Sequence, residues 1–174
     1  LYIDGSTTCL ELAKALAASG KSFTVVTNSM LILMELGRSK AINVVGLGGD
    51  FDPDSLSFVG PACEDAASKY FVDIAFFSTK GFIPDEGTFE SAAGNFRIKQ
   101  TIAKQSKAVA LLVDDTKFGQ RALRKALDIS QIKILISDRR PGKDELESLA
   151  AHGCKTIFPA KDTQCEAAAL TKRG

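Results

Sequence analysis

The chain reads as an α/β domain built on a mostly parallel sheet with helices on both faces. Three observations carry this. Short apolar runs alternate with stretches of helical spacing along the chain. Several runs are rich in Val, Ile and Phe without alternation, as strands buried on both faces are. Polar, glycine-bearing segments follow the runs, where parallel strands leave their ligand crevice.

The first strand is expected over residues 1–4 and turns through Asp4-Gly5-Ser6-Thr7-Thr8 into a helix over 8–18. That helix has Leu10, Ala13, Leu16 and Ala17 on one face, and Thr8 with Glu11 spells a capping box. A strand over 23–27 ends in Thr27-Asn28-Ser29 and opens a helix over 29–36 that stops at Gly37. A strand over 42–47 runs into Gly48-Gly49-Asp50, followed by a long irregular stretch over 47–60 and a helix over 61–71. The strand over 74–78 ends in Ser78-Thr79-Lys80-Gly81, then an irregular stretch over 80–93 and a helix over 92–106. Loops of such length beyond strand ends point to function. The strand over 109–113 ends in Asp114-Asp115-Thr116, with Lys117 next. Helices over 120–127 and 143–152 and strands over 132–137 and 156–158 complete the pattern. One domain is expected over 1–160, with 161–174 a C-terminal helix or tail.

Of the 174 residues, 45% are hydrophobic and 25% charged, enough for a substantial single core. The 22 basic and 21 acidic residues nearly cancel, which argues against a nucleic-acid-binding surface within this segment. No run of about 18 apolar residues is present, so no membrane-spanning helix is expected. Cys9, Cys63, Cys154 and Cys165 form no CxxC pair or Cys/His cluster, and His152 is the one histidine. No metal or cofactor is therefore expected, and the cysteines read as reduced core residues of a cytoplasmic protein. A reactive Cys9 is the minor alternative. The chain opens inside a strand pattern, which reads as a piece of a longer protein.

Asp4–Thr8 is the most informative segment. Glycine permits close backbone approach, and a helix start offers N–H groups without internal partners. With the helix dipole and three hydroxyls these suit a phosphate. In a parallel sheet this turn, Thr27-Asn28-Ser29, Gly48-Gly49 and Lys80-Gly81 all point to one rim. Lys99, on the helix after the 80–93 stretch, and Lys117, after the strand ending Asp114-Asp115-Thr116, are the candidates to add positive charge. Each signal has a plainer reading taken alone: helix caps for Ser6–Thr8 and Asn28-Ser29, a tight turn for Gly48-Gly49, solvated lysines, and a loop carboxylate for Glu90. Convergence on one rim is what favours a binding site.

The order of these motifs resembles the C-terminal effector-sensing domain of DeoR-family bacterial transcriptional regulators. The matching pieces are Asp4-Gly5-Ser6-Thr7-Thr8, Thr27-Asn28-Ser29, Gly48-Gly49, Val59-Gly60-Pro61, and Asp73-Ile74-Ala75-Phe76-Phe77 leading to Lys80-Gly81. Lys99, Asp114-Asp115-Thr116-Lys117-Phe118-Gly119 and Ile136-Ser137-Asp138 follow. The resemblance implies a fold similar to ribose-5-phosphate isomerase and a phosphorylated sugar as effector. It also implies a winged helix-turn-helix ahead of this segment as the only part that meets DNA, and a homo-oligomer, dimer or tetramer. It departs over 88–96, where Glu90 is the one acid in a stretch many members fill with an acidic run.

Two functions follow. In a non-catalytic sensor, Gly5, Ser6, Thr7 and Thr8 hold the phosphate, Lys99 or Lys117 supplies charge, and Asp4, Asn28, Lys80 and Glu90 meet sugar hydroxyls. In the alternative, a sugar-phosphate isomerase, Glu90 or Asp4 is the proton-transfer base. The second lacks an evident acid–base partner, so no catalytic residue is assigned.

Overall fold

The computed structural model describes residues 1–91 and 93–159. In chain order the elements are β1 (Tyr2–Ile3), α1 (Thr7–Ala18), β2 (Phe23–Thr27), α2 (Met30–Leu36), β3 (Ile42–Gly46), β4 (Asp50–Asp52), β5 (Ser57–Val59), α3 (Pro61–Ser68), β6 (Val72–Phe77), β7 (Gly81–Ile83), β8 (Gly87–Glu90), α4 (Ala93–Lys104), β9 (Ser106–Val113), β10 (Arg124–Asp128), β11 (Ile134–Ser137), α5 (Lys143–Ala151) and β12 (Lys155–Ile157).

Seven strands form one parallel sheet in the order β12-β11-β9-β6-β1-β2-β3. The chain winds from β1 to β3 in one direction and from β6 to β12 in the other. The order therefore reverses between β1 and β6, the place where doubly wound sheets open a crevice beyond their carboxyl ends.

Successive strand residues face opposite sides, and the two cores follow that alternation. Ile3 and Val25 pack with Cys9 and Ala13 of α1 and with Ile32 and Leu36 of α2. Tyr2, Val26, Ala75 and Phe77 pack on the other face with Cys63 and Ala67 of α3, Ile98 and Ile102 of α4 and Leu149 of α5. Each fully buried large side chain contributes about 1.5–3 kcal/mol, and this is what holds helices to both faces.

The strands fall where their apolar runs stand: the strand over 23–27 keeps its bounds, and the ends of the others shift by up to three residues. Four local expectations are corrected. Residues 120–127 have helical spacing, yet Arg124–Asp128 is a strand paired antiparallel to β8. A register shift between Lys125 and Leu127 turns both Ala126 and Leu127 inward, so long-range pairing overrides local preference. The irregular stretch over 80–93 holds the β7–β8 hairpin, which with β10 makes a three-stranded arm. The stretch over 47–60 holds the β4–β5 hairpin. The cap of α1 is Ser6, whose Oγ accepts from the Cys9 N–H, while Glu11 pairs with Lys14 instead of closing a box on Thr8. The expected tail over 161–174, Cys165 included, lies outside the described residues.

Replacing Phe77, fully buried between β1 and α4, by Ala is expected to lower unfolding free energy by about 3–5 kcal/mol in urea titration. Leu123→Ala is expected to change it by less than about 0.5 kcal/mol, because Leu123 is 77% exposed rather than on a buried helix face.

Candidate functional site

At the reversal of strand order, β1 ends in Asp4 and β6 is followed by Ser78. Asp4 bridges them: one carboxylate oxygen accepts from the Ser78 N–H at 3.2 Å. Lys99, from the middle of α4, reaches the same point. Its Nζ donates to the Ser78 carbonyl at 2.6 Å and stands 3.2 Å from Asp4 and 2.5 Å from Glu90, the last residue of β8. All three charged residues are 5–6% exposed. The triad thus ties the main sheet, the three-stranded arm and α4 together, with two carboxylates to one ammonium.

Burial lowers the Lys99 pKa, but Asp4 and then Glu90 more than offset it. The ammonium pKa is pushed up to about 12 from its ordinary 10.5. Beside it, burial pushes the Cys9 thiol up to about 12, with Asp4 adding to the rise. Cys9 is a protonated core residue whose thiol faces the Phe76 carbonyl, not a reactive thiolate.

The turn after β1 lies next to the triad. Gly5 is there because a Cβ would come within 2.4 Å of Ser57 Oγ and 3.2 Å of Ser29 Cβ. Its close approach is to the β4–β5 hairpin. Ser6 caps α1, the Leu10 N–H begins the helix ladder on the Ser6 carbonyl, and Thr7 and Thr8 open the first turn. Their N–H groups have no intrahelical partner, and Thr7 is exposed.

Thr27, Asn28 and Ser29 lie beneath this turn, each 2% exposed or less. Thr27 donates to the Ile3 carbonyl, Asn28 Oδ1 accepts from the Tyr2 hydroxyl at 2.8 Å, and its amide donates to the Phe58 carbonyl. Ser29 caps α2. These side chains are engaged in holding β1, β2 and the hairpin in register. Gly48 faces open space, whereas Gly49, at φ +151°, sits where a Cβ would strike the Val59 carbonyl. Lys80 is exposed, and Gly81 lies flat on the Gln120 carbonyl. Lys117 is about one-third exposed in the turn after β9 and 4.0 Å from Asp114. That turn is docked to the arm: Phe118 meets Phe82 edge-on, and the Gly119 N–H donates to the Phe82 carbonyl.

The structure therefore gathers Asp4, Glu90 and Lys99 into one cluster and places Gly5–Thr8 beside it. Thr27–Ser29 form a buried layer below, while Gly48, Gly49, Lys80, Gly81 and Lys117 stand elsewhere on the rim. Four further residues of the rim carry little sequence signal. Ser78 acts through its backbone, and Tyr2 and Ser57 act through partners about 26 and 52 residues away. Arg139, after β11, stacks 3.8 Å over Phe118 and donates to Glu145 at 2.8 Å. Asp115 lies 2.5 Å from its Nε without hydrogen-bond alignment. Two surface hollows open at the amino rim, one lined by Phe23 and Ile42 and one by Phe71 and Lys104, away from the triad.

The model of the DeoR C-terminal sensor domain matches residues 1–139. The chain belongs to this family. The uncharacterized HTH-type transcriptional regulator YulB of Bacillus subtilis is 33% identical over 79% of this chain and 53% of its own length. The HTH-type transcriptional repressor GlcR of the same organism is 28% identical over 93% of this chain and 62% of its own. The L-fucose operon activator of Haemophilus influenzae is 29% identical over 67% and 47%. The chain spans about half the length of the curated relatives it matches. Among solved structures, ribose 5 phosphate isomerase A from Neisseria gonorrhoeae is 20% identical, covering 69% of this chain and 45% of that one, with a TM-score of 0.46. Among the described residues, no helix is long and apolar enough to cross a membrane.

The raised pKa of Lys99 fixes the sign of a pH effect. Its stabilising contribution is fully present below about pH 10.5 and is lost as pH rises through about 12. Over that window the loss is expected to be on the order of 2 kcal/mol in urea unfolding. Lys99→Met leaves two buried carboxylates without their cation. It is expected to lose about 3–5 kcal/mol at pH 7 and to lack the alkaline component.

Proposed function

We propose that this chain is the effector-binding domain of a transcriptional regulator of sugar metabolism. A phosphorylated sugar binds at the carboxyl rim and modulates DNA binding by a winged helix-turn-helix that precedes this domain in the whole protein. The observation that carries the reading is the adjacency, at the reversal of strand order, of the Ser6-Thr7-Thr8 helix start and the Asp4–Glu90–Lys99 triad. The first offers N–H groups and hydroxyls to an anion, the second offers carboxylates to hydroxyls.

In this reading Gly5, Ser6, Thr7 and Thr8 hold the phosphate and Lys117 supplies charge from the same rim. Asp4, Glu90 and Lys80 select the sugar, Asn28 supports them from below through Tyr2 and the Phe58 carbonyl, and Gly48 and Gly81 border the site. Lys99 orients the two carboxylates, since its own charge is already shared between them. Because the triad joins the arm to the sheet, a ligand that competes for any of its members has unequal affinity for two positions of the arm. That inequality is what a sensor requires. The relatives' names include both a repressor and an activator, so the direction of the response belongs to the whole protein. The isomerase reading has no observation in its favour: both candidate bases are held by Lys99.

Thermal-shift titration separates phosphate recognition from general sugar binding. A phosphorylated sugar is expected to raise Tm where its unphosphorylated parent does not; at 100 times Kd the gain is about 2.7 kcal/mol. Failure of every phosphosugar to shift a folded protein would remove the phosphate assignment. Thr7→Ala is expected to weaken that shift at least tenfold in apparent Kd while leaving the unliganded Tm within a few degrees, because Thr7 is exposed.

A further inference from the structure

Lys117 sits in a short turn, and the residues on both sides of it are held by one side chain from the neighbouring strand end. The turn after β9 is a single 3-10 turn, Asp115–Lys117, that starts on the Asp114 carboxylate. One such turn has poorer hydrogen-bond geometry than an α-helix, so contacts from outside decide where it points.

Asp138 and Arg139, directly after β11, supply those contacts. The Asp138 carboxylate accepts from the Asp115 N–H at 2.9 Å. Arg139 Nε stands 2.5 Å from the Asp115 carboxylate, and the guanidinium lies 3.8 Å over the Phe118 ring. The same guanidinium donates to Glu145 of α5 at 2.8 Å, which fixes its plane. Phe118 in turn meets Phe82 of the arm at 86°, with ring centroids 5.5 Å apart. Lys117 is therefore bracketed by Asp115 and Phe118, and both are gripped by Arg139.

We propose that Arg139 is a positioning residue for phosphate: by holding Asp115 and Phe118 it aims Lys117 at the rim, and so sets the rim's affinity for the anion. This rests on the assignment of Lys117 to the phosphate made above. Arg139 need not touch the ligand, since its charge is already shared between Asp115 and Glu145. Among the described residues Lys117 pairs only with Asp114, at 4.0 Å, and keeps a third of its side chain exposed. A turn free to point elsewhere binds with an affinity reduced by the fraction of time Lys117 faces the rim. Arginine is needed here rather than any cation. Lying flat on a ring while reaching two carboxylates takes a planar fork with several donors, whereas an ammonium is a point charge.

Titration of the 174-residue chain with inorganic phosphate, followed by phosphorus NMR at constant pH and ionic strength, tests it. Arg139→Lys keeps the charge and loses the fork. It is expected to raise the phosphate Kd about tenfold, as if Lys117 faced the rim about a tenth of the time, with unchanged circular dichroism. In a Lys117→Ala background the same change is expected to weaken the residual binding no further, because it acts through Lys117. Wild-type affinity in Arg139→Lys overturns the proposal, as does a loss that persists undiminished beside Lys117→Ala. If Arg139→Lys fails to fold, Phe118→Leu replaces it: that change removes the ring under the guanidinium, keeps an apolar side chain against Phe82, and is read by the same two outcomes. A wild-type chain that binds no phosphate, or a Lys117→Ala chain that binds it unchanged, fails the phosphate assignment and the proposal with it. Loss on Lys117→Ala without loss on Arg139→Lys overturns the proposal alone.

Discussion

The buried meeting of Lys99 with Asp4 and Glu90 is the contact on which the rest of the rim depends. Desolvating three charges is unfavourable unless geometry and further hydrogen bonds compensate. Here Ser78 supplies both, donating its N–H to Asp4 and accepting from Lys99. The reward is positional. Asp4 follows the central strand, Glu90 ends a strand of the arm and Lys99 lies on α4, so three bodies that share one apolar core also share one electrostatic joint. Hydrophobic burial brings these bodies together without regard to direction, whereas a carboxylate and an ammonium at about 3 Å fix where each must stand.

The rim is layered around that joint. Below it, Tyr2, Thr27 and Asn28 spend their polar groups on one another and on neighbouring backbone. Beside it, Gly5 lets the β4–β5 hairpin close against the turn after β1. On the far side, Arg139 and Phe118 lock the turn after β9 onto the arm. Polar residues at strand ends therefore divide into those that build the rim and those that face outward from it. Thr7 and Lys117 belong to the second group.

The sheet was legible in the sequence because buried parallel strands are written as local apolar runs. Val109 to Val113 or Phe23 to Thr27 need no partner to be recognised. The arm was not legible, since β7, β8 and β10 are three to five residues long and β10 finds its partner in β8, 34 to 41 residues back. Residues 120–127 even carry a helical pattern, which lost to the pull of Thr88 and the bulge opposite it. The site followed the same rule. The helix start at Ser6–Thr8 could be placed from its spelling. Lys99 could be placed near the rim, but its engagement with Asp4 and Glu90 depends on a fold that brings positions 4, 90 and 99 together.

The reversal of strand order has a consequence for how the molecule is made. β1 lies at the centre of the sheet, between β2 and β6, yet about 70 residues separate it from β6. During synthesis the first three parallel strands emerge with that side of β1 unpaired, and Asp4 enters the interior with no cation to meet it. Lys99 is made last of the triad. The first half thus gains the second partner of its central strand, and the cation for Asp4, only once the second half has been made. High contact order of this kind slows folding and leaves the nascent chain exposed to association while it waits.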